Sequence, residues 1–255
     1  MWAYLDLDIS DARGSYKRAH EFVAATSIKY GLSSPSLSEL GGRERLSVPE
    51  LYANDYTWSA RGPCAVDPQP CTRLVFELMP TQSPLAVENF ISLCTGCKGK
   101  SKSSGVQLSY LASKVHRYIP SFILQGGDLT HGNGAGGESI YGKKFKDDAG
   151  GLKLKHDRRG VLSMGNSGKN SNSSQFFVTL GPAPACDKKH VVMGHLLYGS
   201  EVLDLIDAAL AGQTLQDEVP SVPIVVTACG SWTPGVDLPQ GFWAEDDPFR
   251  ALSKP

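Results

Sequence analysis

VHRYIPSFILQGGDLT at residues 115–130, GVLSMGNSGKNSNSSQFF at 160–177 and KHVVMG at 189–194 decide how this 255-residue chain is read. Each block sets a few hydrogen-bonding side chains among apolar and aromatic ones. None holds a nucleophile beside a base, and none holds a cluster of metal ligands. Residues combined in this way suit a groove that binds an extended chain and reshapes it without making or breaking a bond.

The composition is that of a globular protein, with 41% hydrophobic and 20% charged residues. A formal net charge of −1 gives no electrostatic footprint for nucleic acid or for an anionic membrane. No stretch approaches the roughly 18 apolar residues of a membrane span. The opening MWAYLDLDISDAR has no basic segment ahead of an apolar run, so no secretory leader is expected. Six cysteines are too few for a disulfide scaffold, so reduced thiols and a cytoplasmic location are expected.

Working outward from the three blocks, residues 57–232 read as the main domain, 1–56 as an N-terminal extension with a linker, and 233–255 as a tail. In the extension, Trp2 to Ile9 alternates like a strand, Tyr16 to Tyr30 suits a helix ending at Gly31, and Leu32 to Pro49 reads as linker. So few apolar positions are expected to form no core of their own. In the main domain Leu74 to Leu78 suits a strand. Ser83 and Pro84 then offer an N-cap and a first helical position, ahead of Val87, Phe90, Ile91 and Cys94 at helical spacing. A second helix is expected over Ser200 to Leu210, and a last strand over Val222 to Cys229. Many short strands with two helices indicate a mainly β fold, a barrel or sandwich with helical caps.

Several signals carry other chemistries. Gly132, Gly134 and Gly137 match G-x-G-x-x-G, but Gly142, Gly150 and Gly151 would break the helix that a dinucleotide site needs, so a turn-rich loop is expected. Cys94 and Cys97 form a C-x-x-C without further ligands nearby, and Cys94 is expected to pack in the helix. His20, His131 and His156 read as packed or solvated residues, and Ser163, Ser167 and Ser174 lie near no recognisable Asp/His arrangement. Read as one strand, residues 116–125 place Arg117, Ile119, Ser121 and Ile123 on one side unless Pro120 shifts the phase.

The blocks resemble the cyclophilins, the family of peptidyl-prolyl cis-trans isomerases. The resemblance lies in H-R-x-I-P-x-F-x-x-Q-G-G-D from His116 to Asp128, in Gly160 to Phe177, and in Lys189 to Gly194. It extends from Ala65 to Gly230 and implies an eight-stranded antiparallel β-barrel capped by two α-helices, with no cofactor. It implies a catalytic role for Arg117, backbone-binding roles for Gln125 and Asn166, and a proline pocket of Phe122, Ile123, Phe177 and Cys186 edged by His190. Gly134, Gly165, Ser167 and Gln175 would border the groove, with His116 and Ala185 also at the site. Ala185 stands where the family often has tryptophan and Cys186 where leucine is usual, which implies reduced cyclosporin sensitivity.

The partners so implied are proline-containing peptides or protein clients. The alternative is a scaffold of low activity that docks to an assembly through 1–56, 97–115 or 233–255. The long loop and the extension also resemble isomerase-like cyclophilins of ciliated cells, which would imply an axonemal location. The first strand has two candidates. Ser59 to Cys64 is favoured by an ungapped fit from Ala65 onward, whereas Trp2 to Ile9 would make residues 10–60 an insertion.

Overall fold

The structure, a computed structural model, describes residues 1–67, 72–212 and 216–232. The tail from 233 to 255, with Trp243 and Phe249, lies outside the described residues. Strands form where β-branched and aromatic residues are dense. They are β1 Trp2–Ile9, β2 Arg73–Leu78, β3 Val115–Ile119, β4 Ile123–Gly126, β5 Val161–Met164, β6 Phe176–Thr179, β7 Val192–Tyr198 and β8 Ile224–Trp232. They make one antiparallel sheet in the order β3-β4-β6-β5-β7-β2-β1-β8. Its two ends meet just before β3, where Lys114 bridges to Val225 and the amide of Val226 donates to the Ser113 carbonyl at 2.9 Å. The sheet is therefore a nearly closed barrel.

The first strand is Trp2–Ile9, which corrects the reading that the barrel opens near Cys64. Gly62 has φ 110° and Pro63 has no amide to donate, so that segment is unsuited to a ladder. WAYLDLDI instead sends Ala3, Leu5, Leu7 and Ile9 into the main core and turns Tyr4 and Asp6 to the outer face. There Asp6 lies opposite Arg73 on β2 and accepts two hydrogen bonds from it, at 2.6 and 2.8 Å, with both side chains buried. The Arg73 guanidinium also sits 4.5 Å above the Tyr4 ring.

Residues 10–70 form a compact unit of their own, not an extension with a linker. Its helices are α1 Ala12–Tyr30, α2 Gly42–Asn54 and α3 Tyr56–Ser59. Phe22, Leu37, Val48, Tyr52 and Trp58 pack into a second apolar cluster, with Phe22 edge-on to Tyr52 at 5.3 Å and to Trp58 at 5.6 Å. Leu37, Leu40 and Val48 come from the stretch read as linker; Ser, Gly and Pro dominate its composition, yet these three apolar residues are buried.

In the barrel unit α4 Pro84–Thr95 and α5 Ser200–Leu210 run where helical spacing places them, and α4 ends at Gly96 with φ 66°. Ser83 does not cap α4 with its side chain: its hydroxyl donates to the Val192 carbonyl, and Asp148 accepts from the amides of Leu85 and Ala86 instead. A distant carboxylate at a helix N-terminus gains from the same exposed amides and from the helix dipole.

Residues 115–126 are a hairpin, not one strand. Ser121 turns the chain with φ 60°, and the Phe122 amide donates to the Ile119 carbonyl at 3.0 Å. Beyond it, the glycine-rich loop folds around Asp128, whose buried carboxylate accepts from the amides of Thr130, His131, Asn133, Gly134 and Gly136 at 2.9–3.2 Å. Burial opposes the charge, but these donors outweigh it, and the Asp128 pKa falls well below the ordinary carboxylate range.

Two outcomes follow for stability. Arg73→Ala strands a buried carboxylate and should cost about 3–5 kcal/mol in urea unfolding, whereas Asp6→Leu with Arg73→Met should recover most of that loss. An equal loss in the single and double variants would show that the pair is not the source. Asp128 contributes fully above its unfolded pKa of about 3.9, and that contribution is lost as pH falls toward its folded value. Asp128→Asn should therefore destabilise at neutral pH by about 1–3 kcal/mol and weaken the acid dependence; an unchanged acid limb would refute the assignment.

Candidate proline-binding groove

The hairpin register sets Arg117 opposite Gln125, and β4 in turn sets Gln125 opposite Phe177 on β6. Directly opposed residues share a face, so Arg117, Gln125 and Phe177 form a row across the barrel's outer surface. The alternating residues Tyr118, Leu124, Phe176 and Val178 point into the core. The cation thus lies beside an aromatic wall because three strands are in register, not because the residues are close in sequence.

Next to the row, Ile123, Phe177, Ala183 and Cys186 make a buried apolar cluster on which Ile119 and Phe122 pack. His190 stands edge-on to Phe177 with ring centroids 5.2 Å apart, and its Nδ1 lies 3.0 Å from the Met164 carbonyl. Burial lowers the His190 pKa, which favours a neutral ring against the pocket. Cys186 is buried at the pocket wall, while Ala185 is exposed in the short turn Pro184–Cys186 and adds no bulk to the rim.

The polar end of the groove is a cleft of about 570 Å³ lined by Gln125, Gly134, Gly165, Asn166, Ser167 and Gln175, among others. A glutamine relay holds it: Gln125 Nε2 donates to Gln175 Oε1 at 2.8 Å, and Gln175 Nε2 donates to the carbonyls of Gly134 and Gly136 at 2.8 and 2.7 Å. Asn166 Nδ2 donates to the Lys189 carbonyl at 2.9 Å, which ties the second block to the third. Lys144 Nζ reaches the Ser167 hydroxyl at 3.0 Å. Gly165 is a glycine for reasons of space, since a Cβ there would lie 3.0 Å from the Gln175 Cβ.

His116 takes a different place from the one expected. It is buried beneath the 132–137 loop, where a Cβ on Gly134 would meet its ring at 2.9 Å, and it supports the cleft without lining it. The loop before β3 is tied down as well: the hydroxyls of Ser101, Ser103 and Ser104 all donate to Glu138, and Ser104 reaches the cleft.

Two connections were not legible in the sequence. His156 stacks on Phe177 at 5.7 Å, with Nε2 2.8 Å from the Ser163 hydroxyl and Nδ1 3.0 Å from Asp187 Oδ1. This has the composition of a hydrolytic triad, yet Ser163 is wholly buried, so no acyl group can reach it. The chain of hydrogen bonds braces the back of Phe177. The second connection is Glu218, whose carboxylate lies 2.5 Å from Arg117 Nε. It is 101 residues away in sequence, and no local signal marks it. Among the described residues no group of histidine, cysteine and carboxylate side chains is placed to hold a metal, and Cys94 and Cys97 are free thiols.

The family described as cyclophilin type peptidyl-prolyl cis-trans isomerase/CLD matches residues 69–231. Peptidyl-prolyl cis-trans isomerase 9 of Caenorhabditis briggsae is 46% identical over 143 residues, covering 56% of this chain and 45% of that protein. The NK-tumor recognition proteins of Mus musculus and Homo sapiens are each 46% identical over 142 residues, covering 56% of this chain and 10% of theirs. The chain therefore spans less than half the length of these relatives. The matched span starts just before β2, and β1, which precedes residues 10–70 in the sequence, completes the same barrel. With its barrel, its row of Arg117, Gln125 and Phe177, and a family match over most of its length, this chain belongs to the cyclophilin-type peptidyl-prolyl cis-trans isomerases.

Proposed function

We propose that this protein accelerates cis-trans isomerisation of X-Pro bonds in protein clients. The observation that carries the reading is the row that sets the Arg117 guanidinium, through Gln125, beside the apolar pocket of Phe177, Phe122 and Cys186. The pocket takes the proline ring, whose transfer from water is favourable. Gln125 and Asn166, at the polar end, hold the backbone that precedes it.

The barrier to rotation, about 18–20 kcal/mol, comes from amide resonance. When the bond twists, the prolyl nitrogen regains its lone pair, and a permanent cation with several donors stabilises that state more than either planar one. Arginine serves here because its charge survives at any physiological pH and its fork can bond at one end while donating from the other. No bond is broken, so the reaction needs neither nucleophile nor cofactor.

Exchange spectroscopy on a proline-containing peptide tests this. The wild type should accelerate exchange and Arg117→Ala should lose roughly 10²–10³-fold, the usual effect of removing a transition-state donor. No acceleration by the wild type would overturn the enzyme reading in favour of a scaffold, and equal rates in both would remove the role from Arg117. Ala185 leaves the pocket rim bare, so cyclosporin should bind the wild type weakly. Ala185→Trp should tighten it about tenfold or more through the buried aromatic surface. Nanomolar inhibition of the wild type would refute that account.

A further inference from the structure

Arg117 is a long, half-exposed side chain on which the proposed chemistry depends, so what holds it in place matters. Among the described residues its hydrogen-bond partner is Glu218, by a single contact of 2.5 Å from Nε to Oε2. The contact uses the base of the guanidinium fork and leaves the two terminal nitrogens for the substrate. Both side chains are exposed by more than 40%, so the pair adds little to overall stability.

The backbone that delivers Glu218 is unusual. Asp217 and Glu218 both adopt left-handed conformations, with φ 53° and 61°, in the connection between α5 and β8. Non-glycine residues are strained there by the approach of Cβ to the following carbonyl, and glycine would occupy the same turn without strain. Strain retained in a turn that aims a carboxylate at the working cation points to function, not to folding.

We infer that Glu218 is a positioning residue for Arg117, holding the guanidinium by Nε so that its free end is aimed at the prolyl nitrogen before substrate arrives. This rests on the reading of Arg117 as the catalytic cation. Two effects compete. The carboxylate offsets part of the charge offered to the twisted bond, and it removes the wandering of a long, rotamer-rich side chain. In a solvent-exposed pair the Coulombic part is strongly screened, so orientation is the larger effect and the pair favours catalysis.

Glu218→Gly and Glu218→Gln in the full chain test this, alone and with Arg117→Ala. Glycine suits the left-handed turn, so Glu218→Gly should be at least as stable as the wild type in thermal unfolding. It should lower kcat roughly tenfold with KM nearly unchanged. Glu218→Gln keeps an acceptor for Nε–H and should restore kcat to within about twofold of wild type. In the Arg117→Ala background Glu218→Gly should have no further effect, because the cycle then contains no side chain for it to position. The inference is overturned if Glu218→Gly matches or exceeds the wild-type rate while Arg117→Ala is slow. It is also overturned if the two losses simply multiply. Equal rates for wild type and Arg117→Ala would instead defeat the underlying reading of Arg117.

Discussion

Everything in the barrel unit depends on β1 lying between β2 and β8. Asp6 faces Arg73 on one side and Leu5 faces Cys229 on the other, so residues 2–9 join two strands that would otherwise both be open edges. An unpaired edge leaves amides and carbonyls exposed and invites pairing with other chains. In the same closed sheet β3, β4 and β6 carry the site. The same strand supplies alternate apolar residues to the core and a buried ion pair to the outer face, so pairing, packing and charge agree on one register.

The groove shows how little of a site need be contiguous. Its row of Arg117, Gln125 and Phe177 is a consequence of antiparallel pairing, and each member is held by something further away. Gln125 is fixed through Gln175 and the 134–136 carbonyls, Phe177 is backed by His156, and the loop that borders them is wound on Asp128. The chain thus devotes buried polar groups, which are costly unless satisfied, to holding an almost bond-free kind of chemistry in place.

Much of this was legible from residues alone. The α4 and α5 spans, the strand at Leu74 to Leu78 and the glycine loop as a turn follow from short-range pattern, and the grouping of Phe122, Ile123, Phe177 and Cys186 is what the resemblance to the cyclophilins implies. Other features failed for identifiable reasons. A Ser-, Gly- and Pro-rich composition concealed Leu37, Leu40 and Val48, because a core needs a few well-placed apolar residues and not a high average. The hairpin at Pro120 and Ser121 was missed because a two-state alternation carries through a tight turn unless the turn residue itself is recognised. His116 was placed in the groove by its position in a motif, whereas burial puts it underneath.

By itself the sequence determined the spans of α4 and α5, which depend on local periodicity, while the barrel and the groove's side chains were what its long motifs implied by their resemblance to the cyclophilins. Only the tertiary structure decided that Trp2–Ile9 is the barrel's first strand, that residues 10–70 pack as a unit, and that Asp148, His156 and Glu218 reach α4, Phe177 and Arg117. Those are contacts across tens of residues or more. Side-chain chemistry at either end permits many partners, and the register of a closed sheet selects one.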